Sequence, residues 1–320
     1  MSKSFIIENE NGMRIDKCLA EMPSGLSRSH IQKLIKEGDI MVNDKPVKAN
    51  YRLISGDHVT INIPNLKEPD IAAEDIPLDI LYEDEDVIII NKPKQMVVHP
   101  APGHYTGTLV NALMYHCRNG LSGINGDLRP GIVHRIDMDT TGSLVICKND
   151  AAHQSLAEQL KEHSINRVYV AVVYGNIKED KGTIDAPIGR HPTERKKMSI
   201  HAKNAKEAVT HYEVIKRFHG YTYIKCRLET GRTHQIRVHM ASIGHPLVGD
   251  LVYGPRKNLF PGLQGQTLHA KTLGFIHPTT NQYMETDAPI PEYFEELLKE
   301  LENVLCKFSK NYIHFHLIII

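Results

Sequence analysis

Over residues 87–302, the hydrophobic positions alternate between a strand period and a helix period. Short runs of aliphatic, β-branched and aromatic residues that are bounded by turn residues predict strands. Six such runs are "DVIIINKP", "GSLVICKN", "NRVYVAVVYG", "TIDAPI", "AVTHYEVIKRF" and "YTYIKCRLET". The third run is apolar on both faces, which is typical of a strand in the middle of a sheet.

Three further segments place apolar residues three and four apart and predict helices. They are "NDAAHQSLAEQLKEH", "THQIRVHMASIG" and "PEYFEELLKELENVL". The second begins at Thr233 and ends at Gly244, with Pro246 just beyond it, which is a common signal for the end of a helix. Because short turns join neighbouring strands, the pattern favours an α+β fold whose sheet is mixed and mainly antiparallel.

Residues 1–64 read as a separate small domain that consists of a helix and a hairpin. Ser27 is a suitable N-cap for the helix, Gly38 ends it, and two short strands follow with a turn at Asn43–Asp44. The charge pattern allows either an RNA-binding surface or an ordinary solvated helix face. We expect RNA to contact the basic residues of this helix, Arg28, Lys33 and Lys36.

Two segments differ in composition from the rest of the chain. Residues 65–86 contain two prolines and nine acids against one lysine, which indicates an acidic linker between residues 1–64 and a catalytic domain over 87–302. Residues 303–320 form an atypical tail that ends in a short apolar, β-branched run, "HLIII". The sequence does not decide whether this tail packs as a strand or is a non-native extension.

Overall charge gives no sign of a nucleic-acid binder, because 38 basic residues match 38 acidic ones. A local cluster does: residues 189–217 hold eight Lys or Arg against three acids. We expect a loop here that contacts RNA phosphates through Arg195, Lys196 and Lys197, although a mobile solvated loop also fits. Five scattered cysteines, with no signal peptide and no apolar run of membrane length, indicate a cytoplasmic protein without a membrane segment.

Three polar stretches are candidates for catalysis. The segment "GIVHRIDMDTTGSLVICKND", residues 131–150, crowds Arg135, Asp137 and Asp139 in front of a buried strand, while Tyr169 lies on the central strand and Arg237 on the helix after a Gly-Arg turn. By pattern alone, the acid could cap a turn, the tyrosine could belong to the core and the arginine could face water. Phosphate-binding loops and metal-ligand spacings are absent from the sequence despite its 19 histidines, so nucleotide and metal chemistry have no support.

These stretches resemble the RluA/RluD group of RNA pseudouridine synthases. "HRIDMDTTGSLVICKN" resembles the signature H-R-L-D-x-x-T-S-G, with Ile136 for the usual Leu and Thr141 for the usual Ser. Three more motifs follow the family's order: "INKPKQMVVHP", "RVYVAVVYG" and "GRTHQIRVHMASIGHPLVGD". The first 64 residues resemble the alpha-L RNA-binding module that a small-subunit ribosomal protein and tyrosyl-tRNA synthetase share.

The resemblance implies a pseudouridine synthase fold and a reaction that needs neither a cofactor nor a metal. Asp137 would be the catalytic carboxylate, acting as a nucleophile at C1′ or as a base at C2′, and Arg237 would keep it ionised through an ion pair. Tyr169 would stack on uracil, and its hydroxyl could also help to remove the C5 proton. Arg135 would fill the space that the flipped nucleotide leaves, although a phosphate contact also fits. Asp139 is expected to bond backbone N–H groups of the turn before Gly142.

The same resemblance points to RNA as the partner, most specifically to large-subunit ribosomal RNA or an assembling ribosomal particle, and to a monomeric enzyme. Two other classes remain open at this point. One is a non-catalytic RNA-binding or ribosome-assembly factor that keeps the fold, and the other is a metal-dependent RNA hydrolase. Intact Asp137, Tyr169 and Arg237 argue against the first, and the missing ligand spacing argues against the second.

Overall fold

The computed structural model divides the chain into two compact units, residues 1–68 and 69–320. It describes residues 2–8, 11–22, 28–62, 71–101, 103–118, 120–124, 126, 129–255, 257, 259–260 and 262–303. The expected N-cap Ser27, residues 65–70 of the expected linker and the tail from residue 304 lie outside the described residues, as does the side chain of Lys33.

The first unit is a four-stranded antiparallel sheet with two helices. Its elements are β1 (Ser2–Ile6), α1 (Ile15–Glu21), α2 (Arg28–Glu37), β2 (Ile40–Val42), β3 (Lys45–Pro46) and β4 (His58–Asn62), and the strand order is β1-β4-β2-β3. Asn43 and Asp44 adopt positive φ angles of 48° and 61°, which confirms the predicted hairpin turn. Buried aliphatic residues of both helices, including Leu19 and Leu34, pack on the strands.

A buried carboxylate ties the two helices of this unit together. The side chain of Asp16 is fully buried and accepts hydrogen bonds from Arg14, Arg28 and Gln32 at 2.7–3.1 Å. Although burial alone would raise its pKa, these bonds lower the pKa of Asp16 to about 2. Arg28, which the sequence suggests as an RNA contact, therefore has a structural role as well.

The second unit is built around a nine-stranded sheet. Its strands, together with the small hairpin β10–β11, are β5 (Ile80–Glu83), β6 (Val87–Lys92), β7 (Thr141–Cys147), β8 (Asn166–Tyr174), β9 (Lys181–Asp185), β10 (Gly189–Arg190), β11 (Met198–Ser199), β12 (Val209–Phe218), β13 (Tyr221–Leu228), β14 (Leu268–Ile276) and β15 (Tyr283–Asp287). Strand order is β5-β6-β7-β14-β8-β13-β12-β9, with β15 also paired to β14. Among the described strands only β7 and β14 pair in parallel, which confirms the mixed, mainly antiparallel sheet.

Helices cover both faces of this sheet. They are α3 (Leu109–Cys117), α4 (Asp150–Lys161), α5 (Gln235–Ser242) and α6, which is helical from 292 to 303 within the described residues. The predicted helix of the first unit corresponds to α2, and the three predicted helices of the second unit correspond to α4, α5 and α6. The elements that the sequence does not predict are α1, α3, β1, β5, β10, β11, β14 and β15.

Strand β8 contributes side chains to both faces, as its apolar pattern predicts. Val170 and Val172 pack against α6 residues such as Phe294, whereas Tyr169 and Ala171 face a second core that includes Ile236 of α5. The central strand therefore presents Tyr169 on the face that carries α5.

The acidic linker expected over residues 65–86 is corrected for its described part. Residues 80–83 form β5, the edge strand paired to β6, and Ile71 and Leu78 pack on the core under α3. Glu74 and Ala72 exchange backbone and side-chain bonds with the buried Asn111. The acids of this segment are exposed or half-buried, and its larger aliphatic residues are half-buried against the core. The described part of this acidic segment is therefore integral to the larger unit.

The basic loop expected over residues 189–217 is also more ordered than predicted. β10 and β11 pair as a short hairpin, residues from 209 onward belong to β12, and Met198 and Ile200 pack near Val238 of α5. This segment is therefore anchored to the same helix that carries Arg237.

Candidate active site

One cavity of about 740 Å³ is lined by the loop before β7, by β8 and by the turn that leads into α5. Its lining includes four residues that the sequence singles out: Arg135, Asp137, Tyr169 and Arg237. These residues are up to 102 positions apart in the chain, so the sheet and α5 are what bring them together.

The loop that carries Asp137 is fixed at its end by a glycine. Gly142 has a φ of +104°, and a Cβ atom there would lie 2.3 Å from the carbonyl oxygen of Ala270 on β14. Only glycine tolerates both conditions, and its absent side chain lets the parallel β7–β14 pair form directly behind the loop. Within the loop, the Thr140 amide donates to the Asp137 carbonyl at 3.0 Å.

A buried lysine fixes the middle of the same loop. The Nζ atom of Lys92, at the end of β6, donates to the carbonyls of Pro93, Met96 and Met138 at 2.7–2.9 Å, and the side chain is fully buried. Burial lowers the pKa of Lys92 to about 7, with the carboxylates of Asp139 and Asp137 opposing that change. Since Met138 directly follows Asp137, Lys92 restrains the backbone beside the candidate catalytic acid.

Arg237 lies between two carboxylates. Its Nη1 atom is 2.9 Å from Oδ2 of Asp137, while Nε and Nη2 bind the two carboxylate oxygens of Asp250 at 2.7 and 3.0 Å. Burial favours a lower pKa for this guanidinium, but Asp250 and Asp137 together hold its pKa above the ordinary value. The predicted contact between Arg237 and Asp137 is therefore present, and a bidentate bond to Asp250 fixes the arginine from behind.

Asp250 is a site residue that the sequence did not single out. Its side chain is fully buried and also accepts hydrogen bonds from the amides of Val252 and Tyr253 at 2.9 and 3.1 Å. The only sequence signal was its position at the end of the motif "GRTHQIRVHMASIGHPLVGD", where an acid before a turn would ordinarily be read as a cap.

His234 adds a second group beside Asp137. It precedes α5 with a φ of 58°, its Nδ1 atom lies 2.8 Å from the Tyr253 hydroxyl, and its Nε2 atom lies 3.9 Å from Oδ1 of Asp137. Burial lowers the pKa of His234, and the charge of Asp137 only partly opposes it. Arg237 is therefore the permanent cation in contact with Asp137.

Tyr169 is 7% exposed and lines the cavity from β8. Burial raises the pKa of its hydroxyl, and the nearby Arg167 opposes this change. A tyrosine with a raised pKa is protonated at neutral pH, so its ring is better suited than its oxygen to act on a substrate without further activation. Its position fits the predicted stacking role.

Arg135 is exposed at the cavity and is oriented by a histidine. Its Nη1 atom donates to Nε2 of His99 at 3.2 Å. Burial and the charges of Arg135 and Arg129 lower the pKa of His99 to about 4, so the ring is neutral and can accept this bond. The guanidinium is thus supported from one side while remaining accessible.

Asp139 differs from its expected role in the turn. Within the described residues, no hydrogen bond from a backbone amide to its carboxylate is recorded; its side chain instead packs against Gly265, where a Cβ atom would lie 2.4 Å away. Burial raises the pKa of Asp139, and Lys94 and Lys92 oppose that change. The second acid of the motif therefore faces two lysines rather than turn amides.

The cavity is strongly cationic. Among the described residues that line it, six carry a permanent positive charge and only Asp137 carries a carboxylate. The cations are Arg129, Arg135, Lys161, Arg167, Arg232 and Arg237. A cleft of one sign attracts a polyanion even when the chain is neutral overall.

Other predicted RNA contacts lie outside this lining. Arg195 and Lys196 are exposed on the β10–β11 hairpin, Lys197 pairs with Glu194 at 2.8 Å, and Lys36 is exposed near the end of α2. Their contacts with RNA remain predictions.

One group of side chains has the composition of a metal site, namely Asp84, Asp86 and His277. Nδ1 of His277 accepts from the amides of Thr279 and Thr280 at 3.3 and 3.2 Å, and Nε2 lies 2.7 Å from the carboxylate of Asp84. With Nδ1 as the acceptor, Nε2 carries the proton and donates to Asp84. Neither ring nitrogen of His277 then has a free lone pair for a cation. The group therefore joins the β5–β6 turn to the turn after β14.

Comparison with known proteins identifies the family of this chain. A family model described as RNA pseudouridylate synthase matches residues 86–242, and a model of the S4 domain matches residues 13–62. An uncharacterized RNA pseudouridine synthase of Bacillus subtilis, YlyB, is 54% identical over 92% of this chain and 96% of its own length. The chain belongs to the RNA pseudouridine synthase family. This membership makes it an RNA-modifying isomerase, and the S4 match gives it an N-terminal S4 domain.

Two further relatives place this pseudouridine synthase within its family. The "Ribosomal large subunit pseudouridine synthase D" of Escherichia coli is 44% identical over 92% of both chains. A solved structure of human RNA pseudouridylate synthase domain containing 1 matches with a TM-score of 0.56 and 30% identity, over 67% of this chain and 84% of the human one. Within the described part of this synthase, no helix has the length and apolarity needed to cross a bilayer.

Proposed function

We propose that this enzyme isomerises specific uridines of large-subunit ribosomal RNA to pseudouridine, with Asp137 as the reacting carboxylate. The observation that carries the proposal is the position of Asp137 in a cationic cavity, bound to Arg237 and beside the ring of Tyr169. Support for the RNA class comes from the 44% identity to an enzyme named for the ribosomal large subunit. The substrate is then either free ribosomal RNA or an assembling particle.

The reaction breaks the N1–C1′ bond of uridine and forms a C5–C1′ bond, and the C5 proton is lost while N1 gains one. Atoms therefore balance without a co-reactant. Asp137 serves either by attacking C1′ or by taking a proton from C2′, and both routes need the ionised acid. Arg237 favours that form because a guanidinium at 2.9 Å stabilises the carboxylate against protonation.

Access to the uridine requires the nucleotide to leave its stack, which costs a few kcal/mol. Stacking of uracil on Tyr169 offsets about 1–3 kcal/mol of this cost. Arg135, exposed at the cavity and bonded to His99, is placed to occupy the space that the base leaves. The S4 domain, with Arg28, Lys33 and Lys36 on α2, and the hairpin that carries Arg195, Lys196 and Lys197 would select and hold the surrounding RNA.

We further propose that the enzyme acts as a monomer in the cytoplasm, without a membrane partner, cofactor or metal. Scattered cysteines support a reducing compartment.

Release of tritium tests the proposal directly. The protein is incubated, without any co-reactant, with transcribed large-subunit ribosomal RNA whose uridines carry tritium at C5. The label leaves C5 when the C5–C1′ bond replaces the N1–C1′ bond. Release by the wild-type protein and none by Asp137→Asn at equal RNA binding is the expected result. Binding without release by the wild-type protein would contradict the proposal and would favour a non-catalytic assembly factor.

A further inference from the structure

Arg167 is the buried cation of the cavity to which neither the motifs nor the reaction assigns a task. It lies on β8 two residues before Tyr169, and the side chains of alternate strand residues point to the same face. It is only 6% exposed and lines the same cavity as Tyr169 and Asp137. Its charge is therefore held close to the site where the base would stack.

The guanidinium of Arg167 is largely unsatisfied. Its Nη2 atom donates to the Glu229 carbonyl at 2.8 Å, but its Nε atom is buried and has no hydrogen-bond partner among the described residues. No ion pair between Arg167 and a carboxylate is recorded in that part of the chain. Burial lowers the pKa of Arg167, with only Tyr169 opposing the change.

Arg237 gives the appropriate comparison, because it is equally buried at 6%. Two carboxylates neutralise Arg237, and its Nε atom is bonded to one of them. A buried charge without a partner is costly, so proteins rarely keep one without a ligand to neutralise it. The contrast indicates that the anion for Arg167 is supplied by the substrate.

The surroundings of Arg167 are basic and leave room for its guanidinium. Its Nη1 atom occupies the space beside Gly231, where a Cβ atom would lie 2.6 Å away. Lys161, His163 and Arg232 line the same cavity. The glycine of the turn before α5 thus makes room for the guanidinium among other basic groups.

We propose that Arg167 binds a phosphate of the RNA backbone next to the target uridine, and so fixes the nucleotide whose base stacks on Tyr169. A planar guanidinium with free N–H groups suits phosphate oxygens, and the flanking cations suit a polyanion. The inference rests on RNA being the ligand. A second source of negative charge, the uracil detached from C1′, is an alternative that the test separates.

The first measurement is binding of transcribed large-subunit ribosomal RNA over a range of KCl concentrations, by Arg167→Met, Arg167→Lys and a control variant, Arg227→Met. Arg227 is exposed on the adjacent strand β13, opposite Val168, and does not line the cavity. Arg167→Met is expected to weaken binding about tenfold and to reduce the salt slope by about 0.7 to 1, the value of one phosphate contact. Arg167→Lys should retain part of the affinity, and Arg227→Met should match the wild type.

The second measurement uses a synthetic stem-loop around the uridine mapped by tritium release, with a neutral methylphosphonate at one flanking position at a time. One substitution is expected to weaken wild-type binding about tenfold and to leave Arg167→Met unaffected. If neither methylphosphonate, on the 5′ or the 3′ side of the uridine, weakens binding by the wild-type protein, the phosphate assignment is overturned. This outcome does not depend on whether Arg167→Met folds. Unchanged RNA affinity with reduced turnover would also overturn the phosphate assignment and assign the charge to the detached uracil. Binding without tritium release would instead count against the proposed reaction, while the salt titration would still test the phosphate contact.

Discussion

The Nη1 atom of Arg237 lies 2.9 Å from Oδ2 of Asp137, on the side of the guanidinium away from Asp250. Asp250 binds the Nε and Nη2 edge and so fixes the plane of the guanidinium, which leaves Nη1 to donate to Asp137. The orientation of the candidate catalytic acid therefore depends on an acid that has no place in the cavity lining. This chain of contacts gives Asp250 a positioning role.

Asp250→Asn tests that role. The amide keeps the size of the side chain but loses one acceptor and the charge, so Arg237 shifts and Asp137 loses its fixed position. We expect turnover to fall ten- to a hundredfold, because a displacement of about 1 Å can cost about that much, with KM little changed. Steady-state tritium release and its pH profile measure the effect. A normal kcat with a normal pH profile would contradict the positioning role, and Asp180→Asn, at an exposed pair with Arg217, is a matched control.

Lys92→Met tests whether the loop of Asp137 needs its buried anchor. Three carbonyls lose their donor, and one of them belongs to Met138. Each lost bond to a charged group costs about 1.5–3 kcal/mol, but the desolvation cost of the ammonium is removed at the same time, so stability should fall by less than the sum. We expect turnover to fall at least tenfold while the thermal midpoint falls by only a few degrees.

Lys178→Met, at an exposed position, is the control for this prediction. Unchanged turnover of the Lys92 variant in the tritium assay would mean that the loop is held by the β7–β14 pair alone. A complete loss of folding, seen by circular dichroism, would mean that the three bonds dominate over desolvation.

Strong local periodicity explains which parts of the fold could be predicted. Strands such as β8 have apolar residues on both faces, and the turns at Asn43–Asp44 and Gly244 carry residues suited to positive φ angles. Strand β14 escaped prediction because its place between β7 and β8 depends on pairing with distant segments. Residues 71–86 were assigned to a linker because seven acids outweigh the spaced aliphatic residues in a composition count.

The site residues also fall into those that a local pattern predicts and those that only the fold reveals. Asp137, Tyr169 and Arg237 stand in motifs that could be matched along the chain, whereas Asp250 and Arg167 acquire meaning only from what lies around them. An acid before a turn and an arginine in a strand have no distinguishing local signal. Burial without a counter-charge, as for Arg167, is a property of three-dimensional packing alone.

His269 should make the enzyme less stable in mild acid. The ring is fully buried between the hydroxyl of Thr141 and the carbonyl of Ala288, and burial lowers its pKa to about 4, with the Ala288 bond opposing that change. The unfolded state takes up a proton near pH 6.5 and the folded state only near 4. The free energy of unfolding therefore keeps its full value with respect to His269 above about pH 6.5. As the pH falls from 6.5 to 4, the buried neutral ring lowers the free energy of unfolding by up to about 1.4 kcal/mol per pH unit.

His269→Gln isolates this contribution, because the amide can keep both bonds and does not titrate. Urea unfolding followed by circular dichroism at pH 7 and pH 5 should show a smaller loss for the variant than for the wild type, by about 1–2 kcal/mol. Equal losses in the two proteins would mean that other groups, such as His99 and His134, carry the acid sensitivity.

Tyr169→Phe and Tyr169→Leu separate the ring from the hydroxyl. Phenylalanine keeps a stacking face, so RNA affinity should stay within about threefold of the wild type. Leucine removes the face and should weaken binding about tenfold or more, as expected for a base stack of about 1–3 kcal/mol. Equal affinity of the two variants would rule out stacking. Tritium release by Tyr169→Phe then shows whether the hydroxyl also helps to move the C5 proton.

Arg28 and Lys36 lie on the same helix, α2, but should respond differently to substitution by methionine. Arg28 is bonded to the buried carboxylate of Asp16 and is about half exposed, so Arg28→Met should lower the stability of the S4 domain by about 1 kcal/mol or less. Lys36 is exposed, so Lys36→Met should leave stability unchanged and reduce the salt slope of RNA binding by about 0.7 to 1 if it contacts one phosphate. Thermal unfolding and KCl titration of RNA binding measure the two effects on each variant. A salt slope that falls for Arg28→Met and not for Lys36→Met would mean that RNA contacts the ion-paired arginine, and would place the RNA over the junction of α1 and α2.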